Sequence, residues 1–263
     1  MNRLKGKNIV ITGASSGIGR EVALLAAKQG ARVVLLARSV EKMMHLVAEI
    51  KREHGTEAYA FKLDVSDTEQ VREVFDKVAL TIGDIDVLVN NAGFGLFKDL
   101  HEADIEETKD MFNVNVIGLI ACTGMVVPAM KRRRSGHIIN IASQAGKIAT
   151  PRASVYSATK HAVLGFSNSL RLELMDEGIY VTTVNPGPIE TNFFNIADQS
   201  GNYVSNIQKF MLKPEYVAQK IVSAMLTKRR EINLPRWMSA GSVFYTLFPG
   251  VVETLGKKAF FKK

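Results

Sequence analysis

Short runs of β-branched and aliphatic residues alternate with longer amphipathic stretches along nearly the whole chain. The runs are Asn8–Thr12, Arg32–Ala37, Glu57–Lys62, Asp86–Val89, His137–Ile141, Tyr180–Asn185 and, more weakly, Glu231–Leu234. Between them, residues 17–29, 40–54, 67–82, 104–133, 154–177 and 214–227 carry apolar positions at helical spacing. A run that is apolar at successive positions is buried on both faces, and strands separated by helices pair in parallel through crossovers. The pattern predicts an α/β chain built on one doubly wound parallel sheet of about seven strands, with helices on both faces. A length of 263 residues suits one such domain.

Charge and cysteine content narrow the function classes. Of the net charge of +8, +6 lies between Lys228 and Lys263, where eight basic residues face only Glu231 and Glu253. The body is nearly balanced, which argues against a nucleic-acid surface. A single cysteine, Cys122, excludes an intramolecular disulfide framework, and the five histidines share no metal-ligand spacing, so no metal site is expected. The first apolar run ends at Gly13, too short for a signal peptide, and a cytoplasmic location is expected. Residues 1–234 are read as the domain, with a substrate lid near 190–213. Residues 235–263 are read as a basic amphipathic C-terminal extension.

In an open parallel sheet, ligands bind beyond the carboxyl ends of the strands, where the strand order reverses. After the first run the chain reads Thr12-Gly13-Ala14-Ser15-Ser16-Gly17-Ile18-Gly19 and enters a helix. Glycines there permit a tight turn and let the backbone approach a pyrophosphate, whose charge is met by the helix N-terminus. The second run ends Leu36-Ala37-Arg38-Ser39, where a NAD-binding Rossmann-like fold carries an acid for the ribose 2′-hydroxyl. The Arg38 guanidinium instead suits a 2′-phosphate, so NADP(H) is the expected cofactor.

Further segments follow the other strands: Asp64-Val65, Asn90-Asn91-Ala92-Gly93, Asn113-Val114-Asn115-Val116, Ser143, Tyr156-Ser157-Ala158-Thr159-Lys160, and Pro186-Gly187-Pro188-Ile189 with Thr191. Taken in order from Lys7 to about Leu234, they resemble the short-chain dehydrogenase/reductase family. The resemblance implies an NADP(H)-dependent oxidoreductase with Asn115, Ser143, Tyr156 and Lys160 as an active-site tetrad. It implies a cofactor held by Gly13, Ser15, Ser16, Gly17, Ile18, Gly19, Arg38, Asp64, Val65, Asn91, Ala92, Gly93, Tyr156, Lys160, Pro186, Gly187, Ile189 and Thr191. Asp64 would contact the adenine, and Asn115 would hold a water linking Lys160 to solvent.

Chemistry supports the tetrad on separate grounds. Reducing a ketone needs a hydride donor, a proton donor and a group that polarises the carbonyl oxygen. Tyr156 and Lys160 are four apart, so a helix sets them on one face, and the ammonium favours phenolate. Ser143 can hydrogen-bond the carbonyl or the developing alkoxide. Each also has a plainer reading: Tyr156 as a packing residue, Lys160 as solvated, Ser143 as a turn cap and Asn115 as a polar contact within a helix.

The substrate is expected to meet Ser143, Gln144, Phe94, Tyr156, Phe193 and Phe194, within a lining that extends over Phe94–Phe97, Gln144–Gly146, Tyr203, Phe210 and Met211. That inventory suits a lipophilic ketone or aldehyde, or the matching secondary alcohol. Lys147 and Lys209 are the exceptions in a lining otherwise without cations, and Lys209 could meet a carrier phosphate; 3-oxoacyl-[acyl-carrier-protein] reductase is the second class and a non-catalytic NADP-binding sensor the third. Leu234-Pro235-Arg236-Trp237 and Thr246-Leu247-Phe248-Pro249-Gly250 resemble the hydroxysteroid- and retinoid-type, member-7-like branch.

The resemblance further implies a homo-oligomer pairing through 104–133 and 154–177, with a dimer favoured over a tetramer. In the tail, Val243, Phe244, Leu247, Phe248, Val251, Val252 and Leu255 recur at helical spacing between basic ends. This stripe packs on the protein's own body or across a dimer, or makes a peripheral membrane contact through residues 236–263; Pro249-Gly250 argues against a span.

Overall fold

The structure, a computed structural model, describes residues 3–198 and 207–260. Seven strands, β1 (Asn8–Thr12), β2 (Arg32–Ala37), β3 (Ala58–Lys62), β4 (Val87–Asn90), β5 (Gly136–Ile141), β6 (Ile179–Pro186) and β7 (Glu231–Leu234), form one sheet in the order β3-β2-β1-β4-β5-β6-β7. Every neighbouring pair is parallel. The expected doubly wound α/β fold is the one observed.

Helices α1 (Gly17–Lys28), α2 (Val40–His54), α3 (Thr68–Ile82), α4 (Ile105–Phe112), α5 (Leu119–Arg133), α6 (Ser154–Glu173), α7 (Phe193–Ala197) and α8 (Pro214–Ala224) connect the strands. Two more, α9 (Arg236–Leu247) and α10 (Pro249–Phe260), follow β7.

Consecutive strand residues serve opposite layers. Ile9 and Ile11 join the core formed with α1, α2 and α8, while Val10 between them joins the core formed with α3, α5 and α6. That is why β1 is buried at all five positions and reads as a continuous apolar run. From β1 the chain winds outward through β2 and β3, then returns to place β4 on β1's other side. The crossovers leaving β1 and β4 diverge, opening a crevice at the strands' carboxyl ends.

Two expected elements differ in detail. The helix expected at 104–133 is continuous over Ile105–Arg133 but contains a π-helical stretch, Asn113–Gly118. There it presses on the strand-end loop so closely that a Cβ on Gly118 would stand within 3 Å of Val65. By length and composition this helix could cross a membrane, yet Met111, Asn115, Cys122, Val126 and Met130 are buried. The region read as loop, 192–213, contains α7 and a 3₁₀ turn at Gln208–Phe210, with Ile189 and Leu212 paired as a bridge.

His137 is a structural residue. Its Nδ1 accepts from Leu226 N–H at 2.8 Å and its Nε2 lies 2.8 Å from Thr182 Oγ1. Burial, with Arg3 adding to it, pushes its pKa down to about 3, so the ring is neutral. The Cys122 thiol is likewise buried, which pushes it up to about 12. Among the described residues no group of His, Cys, Asp and Glu could hold a metal.

Candidate active site

The crevice is a cleft of about 820 Å³. At its base, β1 and β4 are tied by their end residues. Thr12 Oγ1 accepts from the backbone N–H groups of Asn91 and Ala92 at 3.0 and 3.1 Å, and the Asn91 amide donates to the Thr12 and Gly13 carbonyls. Gly13 adopts φ +65°, and a Cβ there would lie 2.8 Å from Ala92 Cα, so the turn accepts only glycine. Gly19 does not line the cleft. It lets α1 pack on the turn, since a Cβ would sit 2.6 Å from the Asn91 side-chain nitrogen.

Ser15, Ser16, Gly17 and Ile18 line the cleft where α1 begins. Ser16 makes no side-chain cap and the first turn holds no acid, so the helix's first N–H groups and its positive dipole end suit an anion. Arg38, with a side chain 78% exposed, lies at the lip, its Nη1 4.0 Å from Asp64 Oδ2. Partial burial raises the Asp64 pKa, but hydrogen bonds from Ser66 Oγ and N–H, with the Arg38 charge, hold it below the usual carboxylate value. Val65, Asn91, Ala92, Gly93, Pro186, Gly187, Ile189 and Thr191 complete this half of the lining.

The tetrad candidates meet in the other half. Tyr156 and Lys160 project from one face of α6, and Ser143 lies just beyond β5; all three line the cleft. Lys160 is buried, its Nζ donating to Ile141 O at 3.0 Å and standing 5.7 Å from the Tyr156 ring centroid. Burial pushes its pKa down to about 8. Ser143 Oγ accepts from Ala145 N–H at 3.1 Å, so it also caps a 3₁₀ turn at Gln144–Gly146.

Asn115 stands behind the wall, 1% exposed. Its Oδ1 accepts from Phe94 N–H at 3.0 Å, and its Nδ2 donates to Phe94 O and Thr159 Oγ1 at 2.8 and 3.1 Å. It therefore ties the loop after β4 to α6. Gly93 keeps the gap beside it clear, because a Cβ would lie 2.9 Å from Asn115 Oδ1 and 3.6 Å from Lys160 Nζ.

The substrate half is aromatic. The Phe97 ring packs edge-on to Tyr156 and Phe193 at 5.9 and 6.3 Å, and Phe193 lies 5.7 Å from Tyr156 and 5.3 Å from Phe194. Phe97 N–H donates to Ala197 O at 2.9 Å, fastening α7 over the loop. Phe94, Gln144 and Ala145 line the cleft, and Gln144 Nε2 donates to Asn185 O at 2.8 Å.

Several expected lining residues lie elsewhere. Leu96 turns to a separate crevice near Arg152, Phe210 is 65% exposed, and Gly146 and Met211 do not face the cleft. Tyr203 lies outside the described residues. Lys147 is held by Glu231 at 2.6 Å across the sheet, and Lys209 does not line the cleft.

Sequence reasoning missed Met238, Gly241, Tyr245 and Val252, which bring the extension into the wall. α9 docks where a Cβ on Gly187 would lie 2.9 Å from Met238 Sδ. Met238, Gly241 and Tyr245 recur at helical spacing, a second stripe the sequence carries beside the more apolar one.

The sequence pattern of the short chain dehydrogenase family matches residues 7–200. An NADP-dependent 3-hydroxy acid dehydrogenase of Schizosaccharomyces pombe is 35% identical over 88% of this chain and 91% of its own. The dehydrogenase/reductase SDR family member 7B of Xenopus tropicalis is 36% identical, over 85% of this chain and 75% of its own. An alcohol dehydrogenase of Thermococcus sibiricus, solved with 5-hydroxy-NADP, superposes with a TM-score of 0.79 at 30% identity, covering 88% of this chain and 96% of that one.

Proposed function

Because the chain belongs to the short-chain dehydrogenase/reductase family of oxidoreductases, with member-7-like proteins among its relatives, we propose that it interconverts a lipophilic ketone or aldehyde and the matching alcohol using NADP(H). The observation that carries this reading is a single cleft holding Ser143, Tyr156 and Lys160 at one end and the glycine turn with Arg38 at the other. The residues fit the dinucleotide: the uncapped start of α1 would hold the pyrophosphate, Asp64 the adenine and Arg38 the 2′-phosphate. When bound, the nicotinamide supplies or takes the hydride.

The chain's own residues handle the proton and the developing charge. Tyr156 donates a proton to the carbonyl oxygen in reduction and accepts it in oxidation. Lys160, set beside the ring and brought by burial down to about 8, is still charged at neutral pH, so it favours phenolate and can resupply the proton. The Ser143 hydroxyl polarises the carbonyl. Asn115 holds Phe94 and Thr159 in place, and in this reading it would also hold a water that links Lys160 to solvent.

Apolar specificity is supported by Phe94, Phe97, Phe193, Phe194 and Met238. Among the described residues the cations lining the cleft are Arg38 and Lys160, assigned here to the cofactor and the proton, and Lys147 is paired to Glu231, which disfavours a carboxylate or a carrier phosphate. Residues 1–234 are the catalytic body, 235–263 an extension whose Met238, Gly241, Tyr245 and Val252 line the cleft, and the working form is a cytoplasmic dimer. NADPH oxidation screened against steroid ketones, retinal, aryl ketones and 3-oxoacyl thioesters tests the reading. Turnover of an apolar ketone is expected; turnover confined to acyl thioesters, or none, overturns it.

A further inference from the structure

α9 has two faces of opposite use. Met238, Gly241 and Tyr245 turn to the cleft and Ser242 is buried. The opposite face is apolar and bare. Trp237, Phe244, Leu247 and Phe248 lie on it, Val251 and Leu255 of α10 extend it, and all six are 48–80% exposed. A helix on a soluble body ordinarily turns its polar residues outward. Here Trp237, Ala240, Phe244 and Leu247 follow one another at helical spacing on the solvent side. The two helices hold together through the Phe244–Phe248 rings at 5.3 Å and a Tyr245 hydroxyl that donates to Glu253 at 3.0 Å.

Charge selects the occupant of this face. From Arg236 to Lys263 the sequence has five basic residues and one acid, and that acid, Glu253, already accepts the Tyr245 hydrogen bond. A second copy placed face to face would bring like charges together. An anionic bilayer would instead meet cations at its headgroups and apolar side chains at the acyl boundary, with Trp237 beside Arg236 at the edge. With 12 residues each and Pro249 between them, neither helix spans a hydrocarbon core of roughly 30 Å. We propose that α9 and α10 dock the protein on the surface of an anionic lipid bilayer through this outer face. The inner face of α9 lines the cleft, so docking holds the cleft against the bilayer; this consequence rests on the catalytic reading, whereas docking itself does not.

Trp237 is the chain's single tryptophan, so its fluorescence reports on this face alone. Full-length protein is titrated with vesicles of phosphatidylserine and phosphatidylcholine, and with phosphatidylcholine alone. Anionic vesicles at low salt should shift Trp237 emission to the blue and shield it from iodide, and about 0.5 M salt should reverse most of the shift. The double variant Phe244→Asp, Leu247→Asp should lower the partition coefficient roughly a hundredfold, since it removes two apolar anchors. Its melting temperature should stay at the wild-type value. Unchanged emission with anionic vesicles overturns the proposal. So does a blue shift without lipid that tracks self-association in light scattering, which assigns the face to a second copy. Emission requires no turnover, so failed docking and a failed catalytic reading are distinguishable.

Discussion

Lys160→Met should make the protein more stable at neutral pH while removing its activity. Among the described residues Lys160 is the buried lysine or arginine, at 6% exposure, and its ammonium is met by one carbonyl at 3.0 Å and a ring face. These replace its water shell only in part. Burial lowers its pKa from 10.5 to about 8, and at about 1.4 kcal/mol per unit the buried charge costs the fold roughly 3 kcal/mol. Methionine keeps much of the stem and removes the charge but leaves Ile141 O without its donor, a loss of about 1 kcal/mol. The net gain of about 2 kcal/mol corresponds to roughly 4–8 °C in Tm for a chain of this size.

The gain depends on pH with a definite sign. Below pH about 8 both folded and unfolded chains hold the Lys160 proton, and wild type bears the full penalty. Between about 8 and 10.5 the unfolded chain keeps the proton that the folded chain has lost, so wild-type stability from this group rises with pH. Thermal melts of both proteins without cofactor, from pH 7 to pH 10, should show the advantage of Lys160→Met largest at pH 7 and shrinking across that window. A variant that melts lower than wild type at pH 7, or an advantage independent of pH, refutes the reasoning.

Arg38→Ala should raise the KM for NADPH about tenfold or more with kcat little changed, because only a charge-assisted contact to the 2′-phosphate is lost; equal use of NADH by the wild type would remove Arg38 from that role. Tyr156→Phe should reduce turnover by a factor of at least about 10² with NADPH affinity retained in fluorescence titration, and wild-type turnover would exclude it as the proton donor. Gly95→Ala places a Cβ 2.7 Å from Tyr156 Cδ2 and 3.0 Å from Phe193 Cζ, so kcat should fall while NADPH affinity holds. Unaltered kinetics would show that the ring has room to yield. Light scattering should return the mass of a dimer; a stable monomer or tetramer counts against pairing through the long helices.

Much of the fold was legible because its signals are local. Unbroken apolar runs identify strands buried on both faces, and β1 and β2 begin and end where those runs do; β7, which alternates, gave a weaker signal over the same residues. The spacing of four between Tyr156 and Lys160 is a property of the helix itself, so their shared face needed no knowledge of the rest of the chain. Gly13 shows its reason only in three dimensions, in the approach of Ala92, but its place after the first run was already readable.

What tertiary structure decided lies in pairings between distant segments. Lys147 looked available until the sheet brought Glu231, 84 residues away, against it. Asn115 gave no sign in the sequence of what its amide would bond, and the fold sets it against Phe94 and Thr159, because a π-helical stretch turns it beneath the loop after β4. The extension shows the distinction most plainly. Hydrophobic periodicity states which face of a helix is apolar, but not which face meets the body. In α9 the face carrying Met238 and Tyr245 closes the cleft against Gly187, while the more apolar face is turned outward, and only the packing of distant segments could make that choice.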